Sequence, residues 1–420
     1  MFSEYLYSPE LLSAVRLNPR AFLRTRKLPF PRIIAMMLSG MTSSVQNELN
    51  VFAANQANRA DLWREVSAQA FSKARRGFSH RVFSLLNQRL FALLERTLVI
   101  PRWHGLRLVA ADASKLQLTL QDAAGRKVQE AIAFALYLPG PELTLGFSLY
   151  SPVVGERQML FEHLDHLQSD DLLILDRGYP AAWLVAVLNQ RKIPFCMRVD
   201  ALGFAAVRDF QHSGQSDALV QIGAPSQHDA NDYDCPRQEQ TVRLIRVETP
   251  NGNGYVVMTS LLDSNAYPTS AFGDLYHARW RIEEAFKRIK HRLKLEHVTG
   301  FSWLAVQQDF GAKILCDNLN ALAVIAAQHD APDCLSPADT EPGDAELDPP
   351  DHEKINRTYC FAVLKRQLPR WLTGKLPDIE TLNNVLAEIR NQVIKFVRRR
   401  SNPRPNRPKP HLYIAYKSFA

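Results

Sequence analysis

Cysteine is scarce in this chain and never paired in sequence. Cys196, Cys235, Cys316, Cys334 and Cys360 are scattered, odd in number and form no C-x-x-C. That pattern argues against a disulfide framework or a zinc ribbon and predicts a reducing, cytoplasmic setting. Long apolar runs are missing too. The longest, near Ile33 to Met41 and Leu319 to Ala327, are too short to span a bilayer, so no membrane partner is expected. The N-terminal MFSEYLYSPELL lacks a basic stretch followed by an apolar core and does not read as a secretory signal. No internal repeat is visible. Lys and Arg vanish between residues 330 and 353, where acidic residues mix with Pro332, Pro337, Pro342, Pro349 and Pro350. Such a stretch cannot build a core and reads as a solvated linker.

What is present is an ordinary core and an excess of positive charge. The 420 residues are 46% hydrophobic with a formal net charge of +8, and the pI is near 9.2. Solubility alone does not require that sign, which favours a polyanionic partner. The length has room for about two to three domains.

Residues 1–100 read as helical. After the basic FLRTRK (Phe22 to Lys27), the LPFPRIIAMMLSG segment predicts a helix that begins after Pro31 and ends at Gly40. From Val66 to Arg96, apolar residues recur at helical intervals, with Lys73, Arg75, Arg76, Arg81 and Arg89 between them. Clustered charge of one sign on a helical scaffold suits DNA phosphates, with Arg24, Arg26, Lys27, Lys73, Arg75 and Arg76 as candidate contacts. A surface-charged helical bundle would show the same spacing.

From about residue 104 the pattern changes to strands. Leu106 to Ala111, Ala131 to Leu138 and Leu143 to Tyr150 predict an antiparallel meander. Glu156 to Leu167 is amphipathic helix, Leu172 to Leu175 a buried strand, Pro180 to Gln190 helix, and Ile193 to Val199 a further strand. This order predicts an α/β domain over 101–328, a mixed five-stranded sheet with flanking helices. Strand-like runs at 218–222, 241–248 and 255–261 predict a β-rich insertion over about 200–262, placed before a late helix. Residues 305–328 form a further, mostly apolar helix. After the linker at 329–353, residues 354–420 predict a helical segment with a basic tail, RRRSNPRPNRPK.

Three carboxylates carry the chemistry. Asp112 follows LRLVAA, Asp176 follows LLIL, and Glu283 lies in YHARWRIEEAFKRIK. In that stretch Tyr276, Arg279, Glu283 and Lys290 are spaced by three, four and seven residues, which predicts one face of one helix. Mg²⁺ or Mn²⁺ prefers oxygen ligands from a few carboxylates plus substrate phosphates. Two such ions can activate a water and stabilise the leaving oxygen of a phosphodiester. Each residue has a plainer reading. Asp112 could cap a turn, Asp176 could pair with Arg177, and Glu283 with Lys287 fits an ordinary i,i+4 pair. Glu284 is set aside because it is rotated about 100° from the Tyr276, Arg279 and Lys290 face. His104, His291 and His297 have no spacing that marks a ligand.

The Tyr-Arg-Glu-Lys pattern resembles the DDE transposases of bacterial insertion sequences, in the insertion-sequence-4 family. That family carries these residues with two, three and six residues between them, and Tyr276, Arg279, Glu283 and Lys290 match without departure. The RKLPFPRIIAMMLSG stretch is similar to the N-terminal region of those proteins. The resemblance implies an RNase H-like fold, interrupted by the β-rich insertion before the glutamate helix. It implies Asp112, Asp176 and Glu283 as ligands of two Mg²⁺ or Mn²⁺ ions, and Tyr276, Arg279 and Lys290 as contacts to terminal phosphates. It also implies cut-and-paste transposition on double-stranded DNA by a homodimer, which binds terminal inverted repeats and joins them to target DNA, often through a hairpin. Two alternatives stay open: a related nuclease that cleaves without joining, and a catalytically silent DNA-binding descendant.

Overall fold

The most apolar runs of the chain become strands covered on both faces, and the helices are arranged to cover them. The computed structural model describes all residues except 1, 25, 62, 122–126, 249–253, 301, 330–352, 375 and 396–420. The chain opens with helices α1 (Phe2–Leu6), α2 (Pro9–Val15), α3 (Phe30–Leu38), α4 (Val45–Gln56), α5 (Ala68–Arg75) and α6 (Arg81–Leu94). The single periodic stretch predicted for 66–96 is two helices, because Phe78 leaves the helix to bridge Arg16.

Strands β1 (Arg102–Trp103), β2 (Leu106–Gln121), β3 (Lys127–Leu138) and β4 (Leu143–Tyr150) follow. Then come α7 (Glu156–Phe161), β5 (Asp171–Leu175), α8 (Ala182–Gln190), β6 (Phe195–Val199), α9 (Ala205–Ser213), β7 (Asp217–Ile222), α10 (Gln227–Asp232), β8 (Gln240–Val247) and β9 (Tyr255–Thr259). Helices α11 (Phe272–His277), α12 (Trp280–Arg292) and α13 (Trp303–His329) complete the central part.

Among the described residues these strands form one nine-stranded sheet in the order β4-β3-β2-β5-β6-β9-β8-β7, with β1 beside β2. The pairs β2–β5 and β5–β6 are parallel and the others antiparallel. The expected five-stranded sheet is therefore only part of it. The inserted strands do not form a separate lobe; they prolong the same sheet. The reason is at β6, whose outer edge would otherwise offer unpaired backbone groups. β9 satisfies that edge from Cys196↔Thr259 to Val199↔Val256.

Buried Arg243 on β8 ties this extension to the approach of α11. It donates to both carboxylate oxygens of Asp217 on β7 and, at 2.7 Å, to the carbonyl of Tyr267. Phe272 and Leu275 of α11 are fully buried against Leu172, Ile174 and Ile245 of the sheet. Each such side chain contributes about 1.5–3 kcal/mol through burial.

A continuous core runs from Leu6 in α1 to Leu372 near the C-terminal side. Helix α13 lies at its centre. It is long and apolar enough to cross a membrane by length and composition, but 72% of its most apolar window is buried inside the protein. Several of its polar residues are partnered there, although the buried Asn320 Nδ2 is not. Asn318 accepts from the Thr144 backbone and donates to Asn87 of α6, itself bonded to the carbonyls of Thr144 and Leu145.

The segment predicted as one helical unit from 354 is two helices, α14 (Arg357–Thr373) and α15 (Ile379–Arg390). They are closed off by paired strands β10 (Glu353–Ile355) and β11 (Val393–Lys395). Lys365 of α14 pairs with Glu48 of α4 at 3.0 Å, and Arg357 with Glu142 at 3.0 Å. Of the linker expected at 329–353, His329 ends α13 and Glu353 opens β10, while residues 330–352 and the basic tail lie outside the described residues.

Candidate active site

The two aspartates are brought together by strand register. Arg107 of β2 and Asp171 of β5 are register partners, and both are buried. The guanidinium clamps the carboxylate with Nε at 2.5 Å and Nη2 at 2.8 Å. From this pin the parallel ladder runs to Ala110↔Ile174 and stops. Two residues beyond lie Asp112 and Asp176, five positions from the pinned pair on either strand. Equal counts from a common pin leave them side by side, on strands about 4.8 Å apart where paired.

The expectation that Asp112 ends its strand needs correction. β2 continues to Gln121 against β3, and what ends near Asp112 is its pairing with β5. The β2–β5 ladder ends two residues before the aspartates.

Tyr276, Arg279, Glu283 and Lys290 are not on one uninterrupted helix. Tyr276 belongs to α11, Arg279 is the N-cap of α12, and Ala278 and Arg279 form the joint. Both joint residues keep right-handed helical angles, but the bonds tighten: Arg279 N–H donates to Tyr276 and Arg281 N–H to Ala278, each three residues back. The chain therefore keeps its helical course, and the side chains still converge on the sheet.

Tyr276 donates its hydroxyl to Asp176 Oδ1 at 3.1 Å, and the Arg177 N–H donates to the same oxygen at 2.7 Å. Among the described residues Oδ2 takes no hydrogen bond. Arg279, only 4% exposed, donates Nη2 to Glu283 Oε1 at 2.9 Å. Its Nε and Nη1 are buried with no partner. Lys287 stands 3.9 Å from Glu283 Oε2. Lys290 donates to the carbonyl of Lys115, three residues beyond Asp112 on β2.

The electrostatics match this crowding. Burial pushes the Asp112 carboxyl up to about 7; Glu283 and Glu156 add to the rise, while the Ala113 N–H and Arg279 oppose it. Burial also raises the Tyr276 hydroxyl, and the Asp176 charge raises it further. For Arg279, burial pulls downward, but Tyr276, Asp176 and Glu283 together raise it on balance.

Glu156, at the start of α7, was not singled out by sequence reasoning. Its carboxylate reaches the turn that follows Asp176: Oε2 lies 3.6 Å from where a Cβ on Gly178 would sit. The neighbouring Arg157 holds the Gly178 carbonyl at 3.1 Å. The Glu156 carboxyl is raised by desolvation first and by Asp176 second. Tyr179 closes the same turn through its N–H to the Asp176 carbonyl, and its buried hydroxyl has no partner.

Asp112, Asp176, Glu283 and Glu156 thus form an all-oxygen donor set, the kind that suits a hard divalent cation. Among the described residues no three of them close into a chelating group as the side chains stand. Arg279 holds Glu283.

The N-terminal candidates divide. Arg24, Arg26, Lys27, Lys73 and Arg76 are exposed. Arg75 is not available to a phosphate, against expectation. It is 3% exposed and donates to Gln308, Thr299, Asp309 and the Ala305 carbonyl, joining α5 to the α13 region. Its signal was its position four residues after the buried Phe71, which puts it on the inward face.

The model of the transposase DDE domain matches residues 103–319. The chain is similar to transposase InsG for insertion sequence element IS4 of Escherichia coli strain K12. That match is 23% identical over 315 residues, covering 70% of this chain and 69% of that protein. The transposase for insertion sequence element IS421 of Escherichia coli is 26% identical over 119 residues, covering 24% of this chain and 32% of its own length. Among solved structures, the piggyBac transposase synaptic complex with hairpin DNA aligns with a TM-score of 0.43 and 8% identity, over 92% of this chain and 84% of that one. With a match that takes in both aspartates, the glutamate helix and more than half of its length, the chain belongs to the DDE-domain transposases of the insertion-sequence-4 family and is a DNA transposase.

Proposed function

We infer that this transposase excises and reinserts its element by cut-and-paste, using two Mg²⁺ or Mn²⁺ ions per site held by Asp112, Asp176 and Glu283. The observation that carries this reading is the equal count from the Arg107–Asp171 pin to the two aspartates, facing a helix that presents Glu283. The strand order β4-β3-β2-β5-β6, an antiparallel β2-β3-β4 meander joined to the parallel pairs β2–β5 and β5–β6, supports an RNase H-like core.

When bound, the ions would supply the charge that activates a water and stabilises the leaving oxygen. The chain's own residues do the rest. The unpartnered Nε and Nη1 of Arg279 lie on different edges of the guanidinium, so each could donate to a separate phosphate oxygen at the element end. Tyr276 fixes the Asp176 carboxylate through Oδ1 and leaves Oδ2 for a ligand role. Lys290 adds a point charge beside β2 for the DNA strand. Exposed Arg24, Arg26, Lys27, Lys73 and Arg76 extend the contact along double-stranded DNA.

Water then cleaves the phosphodiester at the terminal inverted repeat and leaves a 3′-OH, which attacks target DNA in strand transfer. No covalent protein–DNA intermediate is needed. Tyr276 does not suit a nucleophile's role, because its hydroxyl is held by Asp176 and shifted away from ionisation. A homodimer bound to paired element ends, acting in the bacterial cytoplasm, completes the reading.

The test is a labelled element end incubated with supercoiled target. Joined product is expected with Mg²⁺, whereas cleavage without joining would leave a nuclease. Asp176→Asn is expected to abolish both steps while specific end binding in EDTA survives; equal loss of binding would make Asp176 a folding residue.

A further inference from the structure

The site contains one more acidic group than the reaction scheme above uses. Glu156 is exposed, with its carboxylate against the Asp176–Tyr179 turn, 3.6 Å from the Cβ position of Gly178. Arg157 anchors the same turn from the next residue, so the start of α7 and the Asp176 turn are held as a unit. A glutamate opening a short helix is usually no more than a favourable charge there.

Two independent features point to a ligand at this place. Tyr179 is 1% exposed, and its buried hydroxyl has no hydrogen-bond partner and lies within the fields of Glu156, Asp112 and Asp176. Arg279 contributes two further buried N–H groups without partners to the same region. Buried donors left unsatisfied carry a cost that a bound group would remove. An anion would meet the arginine, and the carboxylate oxygens would meet a cation.

We propose that Glu156 is a fourth carboxylate of the active site, an oxygen ligand on the Asp176 side of the divalent-ion pair. This rests on the assignment of Asp112, Asp176 and Glu283 as ligands, and the experiment separates the two claims. Mn²⁺ is titrated into the full-length chain without DNA, by calorimetry and by electron paramagnetic resonance, for wild type, Glu156→Gln and Asp112→Asn. Melting in EDTA is recorded alongside.

Glu156→Gln is expected to weaken one Mn²⁺ site on the order of ten- to a hundredfold, a range that even outer-shell partners of a metal reach. It is also expected to leave the melting temperature in EDTA unchanged or higher, because a like charge is removed from the cluster. A wild-type Mn²⁺ titration, with melting lowered in EDTA, would reduce Glu156 to a helix-stabilising charge and overturn the proposal. If Asp112→Asn loses Mn²⁺ and Glu156→Gln does not, Glu156 alone is excluded. If neither variant changes the titration, the carboxylate site itself fails.

Discussion

Arg75 and Arg279 are buried to the same degree, at 3% and 4% exposure, and their surroundings could hardly differ more. Every nitrogen of Arg75 has a partner, from Thr299 and Asp309 to the Ala305 carbonyl. Arg279 has one bonded nitrogen and two with nothing. A satisfied buried guanidinium is architecture, since the protein itself supplies every acceptor. An unsatisfied one keeps a desolvation cost that only an incoming acceptor removes. The acceptor proposed for Arg279 is a phosphate of the element end, which would make it a binding residue, whereas Arg75 is scaffolding.

The sharpest way to break this contrast is to remove both groups in turn. Arg75→Met leaves Asp309 buried and unpaired and is expected to cost about 3–5 kcal/mol of stability. Chemical denaturation checks this; a loss under about 1 kcal/mol would show that Arg75 is not the joint between α5 and α13. Arg279→Ala is expected to change stability little and to weaken binding of a cleaved element end by about 1.5–3 kcal/mol. Mn²⁺ affinity without DNA should stay near wild type, so a large fall there would make Arg279 a support of the metal site instead.

The proton on Asp112 sharpens the comparison from the acidic side. Its carboxyl titrates near 7 in the fold and near 3.8 when unfolded. Between those values the folded state holds more protons, so this group's contribution makes stability fall as pH rises. In EDTA, Asp112→Asn should remove that part of the slope, and Mn²⁺ affinity of the wild type should climb with pH until about 7. An unchanged slope in the variant would assign the titration elsewhere. The smallest effect belongs to the outer surface. Lys73→Ala and Arg76→Ala should each reduce the salt dependence of DNA binding by about one unit of slope, uniformly across sequences.

Much of the site was legible because its chemistry has a linear signature. Apolar runs followed by a lone aspartate pick out the buried strands β2 and β5, and Glu283 stands in phase with Tyr276 and Arg279. The rest depends on tertiary facts. Arg75 and Arg76 are adjacent basic residues on one helix, and only packing against Gln308 and Asp309 separates buried from exposed. Glu156 looks like any acid at a helix start until the Asp176 turn is folded against it. The insertion was read as strands outside a five-stranded sheet because strand periodicity gives length and face but not the neighbour, and it is β9 pairing with β6 that joins the two sets. The β2 strand was read short because a polar residue interrupts its apolar pattern, and that residue is Asp112.

The salt bridge between Arg107 and Asp171 has a consequence for which changes this enzyme can tolerate. Because it sets the zero from which both aspartates are counted, the segments 108–111 and 172–175 are constrained in number more tightly than in kind. Another β-branched or aliphatic side chain within either segment leaves the two aspartates where they are. One inserted or deleted residue in only one of them turns its aspartate to the opposite side of the sheet, and no compensating substitution nearby can turn it back.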